Sequence, residues 1–261
     1  MLDAGEWREP ASADRGRGAD PGQQARKPVL IVVHQVHSNP GHVGHWFRDN
    51  GYPLDIRRPY AGDPLPTSLR QHCGAVIFGG PQSANDADEH IRREIAWIEV
   101  PLREQKPFLG ICLGAQMLAH HLGAKVDHCP NGTVEIGYHP VATTGPRHVL
   151  GALPSQMFQW HREGFAVPDG AVLLATSNGN YPNQAFIYGP AAVGVQFHPE
   201  ITYAQVNRWS GSNPTRLLLR GARPRQEQLD MHLMQGPKVR HWLDTFLRRW
   251  VAGDLMSSSS G

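Results

Sequence analysis

The chain has 261 residues, a formal net charge of +2 and 40 % apolar side chains. That suffices for one large α/β domain with its own core, and so small a charge gives no argument for nucleic-acid binding. No apolar run approaches the roughly 20 residues that span a bilayer, so the expectation is a soluble protein with no membrane partner.

Residues 1–27 carry almost no apolar periodicity, lack the apolar core of a secretory signal, and read as a disordered leader. Pro28 to Val33 reads as the first buried strand. His42 to Asn50 reads as a helix closed by Gly51. Leu54 to Arg57 and Ala75 to Phe78 are short strands, the second running into Gly79-Gly80-Pro81. Asp88 to Val100 has helical spacing through Ile91, Ile95 and Ile98, with an acidic first turn. Phe108 to Ile111 is a strand, and Leu113 to Leu122 is a helix ended by Gly123. This alternation predicts an α/β fold with a mostly parallel sheet and helices on both faces.

From Lys125 to Tyr188 the runs are short and rich in turn residues, which predicts added antiparallel strands. Val193 to Phe197 returns to the core. Gly211 to Gln228 reads as a mobile excursion, and Lys238 to Val251 as an amphipathic helix with Val239, Trp242, Leu243, Phe246, Leu247 and Trp250 on its apolar side. The basic residues concentrated between Arg216 and Arg249 read as a solvated helical face. The domain is placed at residues 28–254, with 255–261 a flexible tail.

Three cysteines without a Cys-x-x-Cys pair indicate neither a disulfide framework nor a zinc knuckle. A reducing, cytoplasmic setting suits a free thiol. His34, His37, His42 and His45 cluster without acidic partners, so they are assigned to loop and helix surfaces, and no metal or organic cofactor is expected.

The chemistry concentrates in Gly110-Ile111-Cys112-Leu113-Gly114-Ala115-Gln116. A strand, a Gly-x-Cys-x-Gly turn and a helix form a nucleophile elbow, which lifts one side chain above the sheet. The lifted group here is a thiol. Downstream, Val193 to Phe197 ends in His198-Pro199-Glu200. An imidazole and a helix N-terminus both favour a thiolate, and side chains at i and i+2 of an extended segment lie on one side. The expected catalytic set is therefore Cys112 as nucleophile, His198 as proton carrier and Glu200 as its orienting acid. An oxyanion would need two backbone N–H donors, assigned to Leu113 and Gly80. Cys73 and Cys129 lack this framing and are taken as non-catalytic.

These motifs, with Phe78-Gly79-Gly80-Pro81-Gln82-Ser83, resemble the class I glutamine amidotransferases of the Cys-His-Glu type, in a GMP-synthase-like branch, over about Pro28 to Tyr203. The resemblance implies a flavodoxin-like stand-alone domain. It further implies that Gln116 helps hold the substrate and that Glu135 is structural. The segment Gln159 to Gly164 departs from the Ser-His-Gly-Asp pattern of that branch, and Trp160 and His161 are its substrate-binding candidates. The implied reaction is thiol-dependent hydrolysis of the glutamine side-chain amide, releasing ammonia. The same triad also suits a γ-glutamyl peptidase acting on a γ-glutamyl amine or peptide. A non-catalytic regulatory protein of this fold is the third reading. The chain lacks a P-loop and a Ser-Gly-Gly-x-Asp-Ser loop, so ATP-dependent amination would require a synthetase partner chain.

Overall fold

The computed structural model describes residues 26–256. Its centre is an eight-stranded sheet. Strands β1 (Val29–Val32), β2 (Leu54–Arg57), β3 (Gly74–Ile77) and β4 (Phe108–Ile111) are joined by parallel pairing to β12 (Ala192–Val195), in the order β2-β1-β3-β4-β12. The sheet continues antiparallel through β11 (Asn183–Tyr188), β10 (Val172–Thr176) and β7 (Ala142–Thr143).

Strand β1 shows why the parallel half reads as continuous apolar runs. Val29 and Ile31 enter one core, with Leu30 and Val32 in the other, and all four are fully buried. The first core is roofed by α1 (Gly41–Asp49) and α7 (Arg225–Ala252), whose Trp242, Phe246, Leu247 and Trp250 pack on the sheet. The second lies beneath α2 (Glu89–Trp97) and α4 (Leu113–His121). Helix α3 (Glu99–Arg103) leads into β4, and the four-residue α5 (Arg147–Leu150) follows β7.

Two small antiparallel ribbons stand outside the main sheet. One pairs β5 (Val126–His128) with β9 (Glu163–Phe165), and the other pairs β6 (Glu135–Pro140) with β8 (Gln156–His161). Helix α6 (Tyr203–Ser212) opens with a Thr202/Gln205 capping box, so two otherwise orphaned backbone donors are satisfied. The antiparallel additions predicted between Lys125 and Tyr188 are these ribbons together with β7, β10 and β11.

Four expectations need correction. The helix read over Asp88–Val100 is two helices, with Ile98 at the junction. The helix read from Lys238 begins at Arg225 and continues through Pro237, at the loss of one backbone hydrogen bond. The excursion read over Gly211–Gln228 has defined structure: the end of α6, a 3-10 turn at Pro214–Leu218, and the start of α7. Leu255, placed in the tail, is only 1 % exposed and joins the first core. The leader falls outside the described residues except for Arg26, which stacks on Tyr52, and Lys27, which donates to the Arg70 carbonyl.

Candidate active site

Cys112 sits where β4 turns into α4, with φ 51° and ψ −103°. A non-glycine residue held there stores about 1–3 kcal/mol of backbone strain. Its framing glycines explain how the turn is held. A Cβ on Gly110 would lie 2.5 Å from the Gly114 carbonyl, and one on Gly114 only 2.1 Å from the Ile77 carbonyl oxygen. Strand and helix backbones approach too closely for any side chain at either position. The Cys112 N–H donates to the Val195 carbonyl at 2.8 Å, locking the elbow to β12.

His198 follows β12, and its N–H donates to the Phe158 carbonyl at 2.8 Å. Its Nδ1 lies 2.7 Å from Glu200 Oε1, and both side chains are buried. That contact fixes the tautomer, since Nδ1–H must donate to the carboxylate. Nε2 is buried without a hydrogen-bond partner. Gly79 lies against both the imidazole and the thiol: a Cβ there would be 2.8 Å from His198 Cε1 and 3.4 Å from Cys112 Cβ. Burial pulls the His198 pKa down, but the charges of Glu200 and Cys112 outweigh it and hold the imidazole well above its usual 6.5. The Glu200 carbonyl accepts from His42 N–H at 2.8 Å, and Gly41 leaves the room for this contact. The first turn of α1 therefore anchors the peptide that carries the carboxylate.

Two adjoining cavities open at the thiol. The larger, about 230 Å³, contains Cys112, His198 and Glu200, and is walled by Trp209, Arg208 and Asn39. The smaller, about 110 Å³, contains Cys112, Gln116, His161, Arg162 and Glu163. Gly80, Pro81, Trp160 and Arg216 border both. A much larger groove, about 950 Å³, lies between α1 and α7, but none of the residues singled out above for catalysis or substrate lines it.

The structure thus gathers Cys112, His198, Glu200, Gly80, Gln116, Trp160 and His161 around one centre. Leu113 is the first residue of α4, so its N–H belongs to the turn whose donors lack intrahelical acceptors. Gln116 lines the smaller cavity, but its Nε2 donates to the Glu163 carbonyl (2.8 Å) and to Gln196 Oε1 (3.3 Å). His161 has both ring nitrogens engaged, with Glu163 O and Glu135 Oε2, each at 3.0 Å. Its ring retains no nitrogen for a ligand. Trp160 instead presents a ring shared by both cavities, packed 5.7 Å from Trp209.

Several neighbours had no signal in the sequence. Gln196 Nε2 donates to Cys112 Sγ at 3.7 Å. His34, assigned to a loop surface, is buried and bridges Glu94 Oε2 (2.8 Å) and the Gly79 carbonyl (3.3 Å), beneath the Gly-Gly-Pro loop. Ser83 ties the far end of that loop to Glu163 at 2.9 Å. Arg216, assigned to a solvated helical face, borders both cavities. Among the described residues no group of three metal-ligating side chains occurs, and no helix is long and apolar enough to cross a membrane.

The chain matches the family model for glutamine amidotransferase class-I over residues 42–207. It belongs to the class I glutamine amidotransferases. Among amidotransferase relatives, the glutamine amidotransferase-like protein YfeJ of Salmonella typhimurium is 35 % identical over 188 residues, covering 68 % of this chain and 77 % of that protein. The glutamine-hydrolysing GMP synthase of Bdellovibrio bacteriovorus is 33 % identical across 50 % of this chain, but only 24 % of its own length is covered. Of solved amidotransferase structures, that from Methylobacillus flagellatus superposes with a TM-score of 0.81 at 28 % identity, covering 87 % of this chain and 95 % of that one. A Thermotoga maritima glutamine amidotransferase gives 0.78 at 29 % identity, covering 88 % and 99 %. The large, mostly parallel sheet is the flavodoxin-like architecture of this family.

Proposed function

We propose that this amidotransferase cleaves a γ-glutamyl amide bond, that of glutamine in the simplest case, through a γ-glutamyl thioester on Cys112. The supporting observation is the state of His198: one ring nitrogen is held by Glu200, and the other is buried and unpartnered beside the thiol. The sulfur attacks the side-chain carbonyl, and its proton resides on His198. The oxyanion is met by the N–H groups of Leu113 and Gly80. His198 then protonates the departing nitrogen as the C–N bond breaks, and ammonia leaves. Water, deprotonated by the same imidazole, attacks the thioester to give glutamate and restore the thiol. Gln196 holds the sulfur from the side. In this reading Gln116 positions Gln196, Trp160 provides the wall against which the substrate lies, and His161 braces Glu163.

The chain spans about a quarter of the GMP synthase that it matches. Any ATP-dependent use of the ammonia is assigned to a synthetase partner, with the hydrolytic half-reaction residing here. The test is glutamate release by the purified protein and by Cys112→Ala, together with peptide mapping after treatment with a glutamine-analogue electrophile. Loss of turnover in the variant and labelling at Cys112 are expected. Full turnover in the variant, or labelling at Cys73 or Cys129, would remove the thioester route.

A further inference from the structure

The two cavities differ in which half of the substrate each receives. The general acid must face the nitrogen that departs, and His198 lines only the larger cavity. The larger cavity is therefore the leaving-group side, and the smaller one, with Gln116 and Arg162, is the γ-glutamyl side. Ammonia is about the size of a water molecule, which needs on the order of 15 Å³ of such space. The leaving-group side offers about 230 Å³.

Its charge is as informative as its size. Arg208 and Arg216 both line it, and among the described residues neither makes an ion pair with a carboxylate. Glu200, the one carboxylate on its wall, is committed to His198. The Arg216 guanidinium is half-buried, and burial together with Arg162 across the smaller cavity disfavours its charge. Glutamine brings a single carboxylate, on the γ-glutamyl side, where Arg162 already stands. Arg208 lines only the opposite side and Arg216 borders both, so a guanidinium group facing the departing nitrogen is unexplained by glutamine. Gln35, Ser38, Asn39, Gln205 and Asn213 are the other polar side chains of its wall. Arg208, Asn213 and Arg216 lie beyond the segment that matches the family model.

We propose that the leaving-group cavity receives an amine bearing its own carboxylate, so that γ-glutamyl amino acids are the preferred substrate class of this site. The inference rests on the thioester chemistry proposed above. Sγ–C bond formation and C–N bond cleavage are unchanged. The proton carried by His198 goes to the amine of an amino acid instead of to ammonia, and water completes the conversion to glutamate and a free amino acid. Arg208 and Arg216 hold the departing carboxylate by charge-assisted hydrogen bonds, for which the guanidinium fork is well shaped.

The experiment compares kcat/KM for γ-glutamylglycine, γ-glutamylglycinamide and glutamine on the full chain, by glutamate release. γ-Glutamylglycine should exceed its carboxamide by about tenfold or more, and should exceed glutamine. In Arg208→Gln and in Arg216→Gln the ratio of acid to carboxamide should fall toward one. A ratio near one in the unaltered protein, its persistence in both variants, or a preference for glutamine would each overturn the inference while leaving the thioester reading intact. Calorimetric binding to Cys112→Ala separates recognition from turnover. γ-Glutamylglycine should bind about tenfold tighter than its carboxamide, and equal affinities would overturn the inference. Absence of glutamate release from every compound would instead sink the hydrolytic reading, and this one with it.

Discussion

Three imidazole–carboxylate pairs are buried on both sides among the described residues: His34–Glu94, His161–Glu135 and His198–Glu200, at 2.8, 3.0 and 2.7 Å. The local chemistry is the same, and the difference lies in the second ring nitrogen. In His34 it is bonded to the Gly79 carbonyl, and in His161 to the Glu163 carbonyl. In His198 it is left unpartnered in a cavity beside a strained thiol. Two pairs act as pins holding loops, and one holds a reactive nitrogen in readiness.

Removing each pair in turn tests this division. The largest expected effect is His198→Ala, with kcat/KM for glutamate release falling about 10⁴-fold or more. Glu200→Gln should cost on the order of 10³-fold, because the ring loses its fixed tautomer. Glu94→Leu and Glu135→Leu should behave oppositely. Each leaves a buried imidazole unmatched and should lower unfolding stability by about 3–5 kcal/mol. Their remaining folded molecules should stay far more active than His198→Ala, and equal losses of turnover across all three pairs would erase the distinction.

The pairs also differ in what pH does. The His198 pKa is raised above its unfolded value of 6.5, so its contribution to stability is fully present below 6.5 and is lost as pH rises toward the folded value. Urea midpoints measured upward from pH 6.5 should show this decline in the unaltered protein, and a shallower one in Glu200→Gln. The smallest effect concerns His42, an imidazole with no carboxylate paired to it. Burial, Arg240, His45 and His232 lower its pKa to about 4, against a weaker pull from Glu200. Its contribution is present above 6.5 and lost as pH falls through 4, so His42→Asn should flatten the acid limb of the stability curve.

What could be read in advance depended on locality. Phe108 to Ile111 and the Gly-x-Cys-x-Gly turn are legible because one short segment contains the strand, the backbone clash and the thiol. His198-Pro199-Glu200 is legible for the same reason. His34 and Glu94 are 60 residues apart, and Gln196 meets Cys112 across 84. Nothing near any of them distinguishes a buried polar pair from a surface one. Arg216 was obscured differently. Its segment, between Gly211 and Gln228, has the polar, turn-rich composition of a loop, and only the fold brings it over the thiol. Gly236-Pro237 reads as a helix stop, yet α7 runs through it because its apolar face is buried on both sides of the interruption.

The elbow glycines have a consequence for how this site changes over evolutionary time. The height of the sulfur above the sheet is set by main chain touching main chain at Gly110, Gly114 and Ile77. Substitutions in the surrounding walls, at Trp160, Arg208 or Arg216, leave that scaffold untouched. The warhead is bolted to the chassis while the upholstery stays free to change, so the same reaction centre is able to be re-tailored for different amides by altering residues outside the contacts that set where the thiol stands.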